Sequence, residues 1–332
     1  MKKSKVKVIA TWIIVPLMAA IFILDIVTVA LGNKYAKKYL PSQEYFTFIN
    51  GDDRIHFLNT ANSDCILIES NGHFALVDSG EGNNNPRRKE AYHGFEETVT
   101  AYLKKVLPVV DGKLHLDFII GTHYHYDHVG SFVSIINDDR ISIDKAYFKK
   151  YNSEMDSKLE AEKWGLSDCY NDIICAVKDN NIELIQNIPN KIDFQDFELR
   201  LFNTGYYNDL KGKGENSGSV GIKVIKGSKS AFLASDITGP SGVEKKVEKD
   251  IGHCDLLKIG HHGYYGSSSM HFLDCLTPAV AVVTNQQGKV YPNVKWNLTM
   301  HAKVPFYGTY DYNGIVATFT DDNRIILTNN IH

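Results

Sequence analysis

Between Gly121 and Gly130 the chain reads Gly-Thr-His-Tyr-His-Tyr-Asp-His-Val-Gly, so His123, His125, Asp127 and His128 fall within six residues. Side chains of an extended segment alternate faces with a period of two, which turns His123 and His125 to one side, where two imidazoles can share a cation. Asp127 and His128 follow as the chain turns toward a helix expected over Val129–Ile136, bringing a carboxylate and a third imidazole to the same pocket and making room for a second cation. A lone histidine is usually a surface or hydrogen-bonded core residue, whereas this concentration of ligands points to a metal centre. Nitrogen and carboxylate ligands suit Zn2+, two per chain, and Mn2+ or Fe2+ are compatible with the same residue types. Such a pair supplies hydroxide at neutral pH and neutralises charge developing on substrate oxygens, so the chemistry expected is hydrolysis without a protein nucleophile. Asp127 is then both a ligand and the catalytic residue that orients the hydroxide.

The elements that must position these residues alternate between strands and helices, with one catalytic domain expected over residues 44–332. Strand-like runs cover Tyr45–Ile49, Arg54–Leu58, Cys65–Glu69 and Phe74–Asp78, an antiparallel start separated by polar or glycine-containing turns. Arg87–Leu107 carries Phe95, Val99, Tyr102 and Val106 at helical spacing. A strand over Leu114–Ile120 then delivers the chain into the histidine cluster, and the last strands are expected over Gly314–Thr320 and Arg324–Thr328. Three further apolar runs end in polar groups: Leu-Val-Asp78-Ser-Gly, Ala231-Phe-Leu-Ala-Ser-Asp236, and Asp255-Leu-Leu-Lys-Ile-Gly-His261-His262-Gly.

His-x-His-x-Asp-His after an apolar strand, with the other three motifs in this order, resembles the metallo-β-lactamase superfamily. The resemblance implies an α/β fold, the αββα sandwich, with the site at the edge of two packed sheets. It implies that Asp78 supports the site, that Asp236 bridges two metals, and that one of His261 and His262 completes the second metal's shell, His261 being preferred. The family's third-motif histidine has no counterpart; the corresponding stretch is Gly214-Glu-Asn-Ser-Gly-Ser-Val-Gly. Gly-Glu-Asn-x-x-Ser, Ala-Phe-Leu-Ala-x-Asp and His-His-Gly-Tyr-Tyr-Gly-Ser are similar to the branch containing teichoic-acid phosphorylcholine esterases and the metallo-β-lactamase-like domain of competence proteins. A phosphodiester substrate follows from that likeness, on a choline-bearing glycopolymer or a lipid headgroup, with Asn216, Ser219 and Tyr264 contacting it. A plain polar turn is the alternative reading of Asn216 and Ser219. A choline group would want aromatic faces, and Tyr124, Tyr126, Tyr206, Tyr207, Tyr264 and Tyr265 stand near the motifs, although packing is the commoner role of each.

Composition narrows the alternatives. Lys and Arg number 36 against 39 Asp and Glu, a formal charge of −3, which disfavours nucleic acid and hence a competence-like nuclease. A membrane-tethered binding protein with a degenerate metal site is a non-enzymatic alternative, which metal content would distinguish. Five cysteines without a Cys-x-x-Cys pair argue against a zinc ribbon or a disulfide framework. Lys2, Lys3, Lys5 and Lys7 precede an apolar stretch over residues 8–31, followed by a tether over 32–43. About 20 apolar residues span a bilayer, which favours a single-pass anchor with the catalytic body outside the cell; a cleaved signal peptide, giving a secreted body, is the rival reading.

Overall fold

The computed structural model describes residues 2–36, 53–86 and 94–329. The strand expected over Tyr45–Ile49, the first residues of the helix expected from Arg87, and most of the tether lie outside them. One sheet runs, edge to edge, Ile325–Asn329, Ile315–Phe319, Asp53–Phe57, Cys65–Ser70, His73–Ser79, Lys113–Gly121, Ile141–Phe148 and Glu183–Ile185, with Val109–Val110 paired beside Lys113–Gly121. The second runs Phe306–Gly308, Val280–Val283, Leu256–Lys258, Lys229–Leu233, Gly221–Lys226, Phe197–Phe202 and Lys191–Phe194. Each sheet has an antiparallel and a parallel half. In the first, His73–Ser79, Lys113–Gly121 and Ile141–Phe148 are parallel, and in the second Lys229–Leu233, Leu256–Lys258 and Val280–Val283 are.

Strand periodicity builds three apolar layers. Along His73–Ser79, Ala75 and Val77 face the second sheet, joining Ile55, Ile222 and Leu256, while Phe74 and Leu76 face the helices Glu96–Val106 and Leu166–Asp179. The second sheet's outer face packs Phe232 and Leu257 against the helices Val243–Ile251 and Met270–Leu276. The result is an αββα sandwich. The carboxyl ends of the parallel strands meet at one edge, where α/β sheets leave a crevice for ligands.

Two expectations change in detail. Val129–Ile136 is not one helix but two short ones, Tyr126–Val129 and Phe132–Ile136. The break falls at Gly130, where a Cβ would stand 2.4 Å from the backbone nitrogen of Gly82, so close chain approach rather than helix continuity decides the backbone. The N-terminal helix runs Lys2–Ala36, past the expected end of the apolar stretch and into the tether. Its segment Ile14–Gly32 is long and apolar enough to cross a membrane. Its last turns are docked on the αββα body: Asp25 pairs with Lys295 at 3.3 Å, Thr28 is buried, and a Cβ on Gly32 would lie 2.8 Å from Thr299 Cγ2.

The helix Val243–Ile251 carries a buried carboxyl, Glu244, which burial pushes up to about 7. Its folded pKa lies above the ordinary 4.5, so the folded state binds more protons between those values and stability declines as pH rises through that window. Glu244→Gln has no proton to lose; it should flatten this slope and stabilise the protein above pH 7 by on the order of 2 kcal/mol, read from urea unfolding at several pH values.

Candidate metal centre

Strand ends that break sharply place the site residues. Asp78, Ser235, His261 and His262 all have positive φ, at 56°, 46°, 48° and 49°, a conformation non-glycine residues adopt only under tertiary constraint. Asp78 accepts hydrogen bonds from the backbone N–H and hydroxyl of Thr122, each at 2.8 Å, and from His128 Nδ1 at 2.7 Å. The carboxylate therefore faces a ring nitrogen and two donors of the neighbouring strand end, an orienting position.

Donor atoms converge on Asp236. Its Oδ1 lies 3.1 Å from His128 Nε2 and 3.4 Å from His262 Nε2, and Asp127 Oδ2 lies 3.6 Å from the same His262 atom. Its Oδ2 lies 3.8 Å from both His123 Nε2 and His261 Nε2. The rings of His123 and His125 stand 4.8 Å apart, and His123, His125 and Asp236 bring ligand atoms within 4.8 Å of one another. One carboxylate thus faces two groups of ligands, one per oxygen.

His262 sits in the group with Asp127 and His128, whereas His261, the one preferred from sequence, faces the other Asp236 oxygen. His262 is fully buried, and its Nδ1 bonds Thr284 Oγ1 at 3.0 Å, whereas His261 is 30% exposed and turns its ring edge to Tyr264. Consecutive left-handed residues send the two rings apart, which extended or helical spacing could not reveal.

The residues present fit a pair of cations. Thr284 donates its hydroxyl to Asp64 Oδ1 at 2.6 Å, so His262 Nδ1 carries the hydrogen toward Thr284, and His128 Nδ1 carries one toward Asp78. In neutral rings both Nε2 atoms then present lone pairs, facing each other 3.1 Å apart, an arrangement that asks for a cation between them. His123 Nε2, Asp127 Oδ1, both Asp236 oxygens and His261 Nδ1 are buried without hydrogen-bond partners. Each such atom costs about 1–3 kcal/mol unless a ligand satisfies it. Burial opposes the charged form of His262, and the Asp236 and Asp64 carboxylates outweigh it, raising the ring to about 9; the field that holds a proton there also holds a metal ion. At His123, burial and the neighbouring His128 and His125 push the pKa well down, leaving a neutral ligand.

Two contributors escaped sequence reading. Asp64, in a turn, accepts from Thr284 and from the Nζ of Lys258 and lies 3.3 Å from His262 Nδ1. Glu160 Oε1 accepts from His125 Nε2 at 2.7 Å and from the Glu215 N–H at 3.1 Å, leaving Nδ1 of His125 free to ligate. In sequence Ser157-x-x-Glu160 signals only a helix capping box, which it also forms. Glu160→Ala should weaken metal binding about 10–100-fold with the fold intact, measured by titration against a chromophoric chelator.

A cleft of about 290 Å³ opens over the centre, lined by His125, Asp127, Asp236, Asn216, Trp164 and Tyr264 among others. Asn216 Oδ1 is buried and unpartnered there, whereas Ser219, fully buried, does not line the cleft. Of the tyrosines proposed as an aromatic cage, Tyr264 reaches the cleft. Tyr124 and Tyr126 are core residues whose hydroxyls bond the carbonyls of Lys149 and Gly165, and Trp164, edge-on to His125 at 4.9 Å, supplies the other aromatic face. All five cysteines are free thiols.

No curated protein sequence matches this chain significantly. Among solved structures it is similar to the metallo-beta-lactamase fold protein YhfI from Bacillus subtilis, at 12% identity over 80% of this chain and 99% of that one, with a TM-score of 0.47. It is also similar to CmlA, a diiron beta-hydroxylase from Streptomyces venezuelae, at 14% identity over 78% of this chain and 50% of that one, with a TM-score of 0.42. The chain spans about half the length of CmlA, and likenesses at this level assign neither metal nor reaction. Residues 58–189 match the family model of the metallo-beta-lactamase superfamily, and that match contains Asp78 and the His123–His128 cluster.

Proposed function

We propose that the protein is an exported, membrane-anchored phosphodiesterase with a dinuclear metal centre, Zn2+ being the expected ion, acting on phosphorylcholine-type or related cell-surface phosphodiesters. The observation that carries this reading is the Asp236 carboxylate set between two ligand groups, His123 and His125 on one side and Asp127, His128 and His262 on the other. When bound, two such cations supply hydroxide at neutral pH and neutralise the phosphoryl oxygens. Asp127, in the cleft wall, is placed to orient the nucleophile, and Asn216 to contact the substrate. Trp164 and Tyr264 offer π faces to a quaternary ammonium. The docked helix supports a retained anchor, because cleavage after Ala30 would strip Asp25 from Lys295 and Thr28 from its buried seat.

The test is hydrolysis of p-nitrophenylphosphorylcholine and bis-p-nitrophenyl phosphate by the full chain in detergent, with metal content measured alongside. Metal-dependent turnover that disappears in a His125→Ala, Asp127→Ala variant supports the reading, and preference for the choline ester supports the narrower substrate. Failure of fully metallated protein to cleave either ester overturns it.

A further inference from the structure

On the outer face of the second sheet, away from the centre just described, the helices Val243–Ile251 and Met270–Leu276 pack side by side. Residues four apart on a helix share a face, which aligns Glu244 with Glu248 on one helix and His271 with Cys275 on the other. Glu248 Oε2 lies 2.9 Å from His271 Nδ1, which lies 3.8 Å from Cys275 Sγ, and one donor atom from each residue falls within 4.8 Å of the others. Zinc bonds of 2.0–2.3 Å in a tetrahedron set ligand separations at roughly 3.3–3.8 Å. The Cys–His spacing already meets that, and the Glu–His spacing needs to open by only about half an ångström.

A second feature points the same way. The cluster borders a cavity of about 530 Å³ lined by Glu244, Glu248, His271, Lys245, Ser269 and Asn297 among others. Glu244, 1% exposed, accepts from the Ser269 N–H with one oxygen and leaves its Oε1 buried without a partner. An open acceptor in the wall beside three convergent ligands is what a hydrated ion needs around its remaining coordination position.

We propose that Glu248, His271 and Cys275 form a peripheral divalent-metal site selective for zinc, with its fourth position open to the cavity beside Glu244. Mixed oxygen, nitrogen and sulfur donors suit borderline-soft Zn2+ and disfavour Mg2+ or Ca2+. The two helices follow directly on the segments that supply Asp236 and His262, and those segments touch where the Gly239 N–H meets the Gly266 carbonyl at 2.9 Å. An ion at the seam therefore ties together the two chain segments that carry the bridging carboxylate and the buried histidine. His271 is well exposed, so the ion exchanges with solvent.

Cobalt substitution separates this site from the central one, whose ligands are all nitrogen and oxygen. The full chain loaded with Co2+ should show a near-ultraviolet thiolate charge-transfer band. That band should be lost in Cys275→Ser and in His271→Ala, and kept both in Cys175→Ser, which removes the exposed thiol, and in Asp236→Ala, which disables the central site. Zinc content should fall by one ion per chain in Cys275→Ser. Absence of a thiolate band in wild type, or its persistence in Cys275→Ser, overturns the proposal whatever the central site hydrolyses.

Discussion

Asp236→Ala should reduce metal-dependent hydrolysis by on the order of a thousandfold or more, well beyond the 10–100-fold typical of losing an outer-shell partner. The reason is geometric. Oδ1 faces His128 and His262, and Oδ2 faces His123 and His261, so a single truncation removes a ligand from both halves of the centre. It also removes the charge that, together with Asp78, overcomes burial and raises His128. Metal analysis should show both central ions depleted, and Asp236→Asn, which keeps the shape but not the charge, should recover little. Retention of two tightly bound central ions in Asp236→Ala would mean that the carboxylate does not bridge.

Lys258→Met should cost about 3–5 kcal/mol of folding stability, the range for breaking a buried ion pair from one side. Lys258 is fully buried, and its ammonium donates to Asp64 and to the Ser235 carbonyl. Burial alone would raise the Asp64 carboxyl, and Lys258 and His262 reverse this and hold it below the usual carboxylate range. With methionine in place, Asp64 loses its lysine counterion and is left with His262 and the Thr284 hydroxyl. Denaturant unfolding should show the loss, and pairing the change with Asp64→Leu should recover part of it by removing the stranded charge. A melting profile within about 1 kcal/mol of wild type would show that Thr284 and His262 suffice to hold Asp64.

These two experiments fall on opposite sides of what the sequence made legible. His123, His125, Asp127, His128 and Asp236 follow apolar strands, where residue type and period speak directly, and the structure gathers all of them. The αββα layering was legible through the resemblance and the alternation within strands such as His73–Ser79. Asp64, Glu160 and Lys258 were not: a turn aspartate, a capping glutamate and a strand lysine each have an ordinary local explanation. Their partners lie 194 residues away for Asp64 with Lys258 and 35 for Glu160 with His125, so only tertiary structure reveals the link. The choice between His261 and His262 turned on two left-handed residues in succession.

The seating of the N-terminal helix changes what an anchor does. Joined by a loose tether, a catalytic body swings freely on a leash. Here Asp25 grips Lys295, and Gly32 closes on Thr299, so the helix is braced against the αββα body rather than hung from it. Lys295 belongs to the short helix Pro292–Trp296, preceded by Tyr291, whose ring meets Tyr264 of the cleft wall at 5.8 Å. Were the helix to span a bilayer, a tilt imposed on it by bilayer thickness would reach the aromatic lip of the cleft through these contacts.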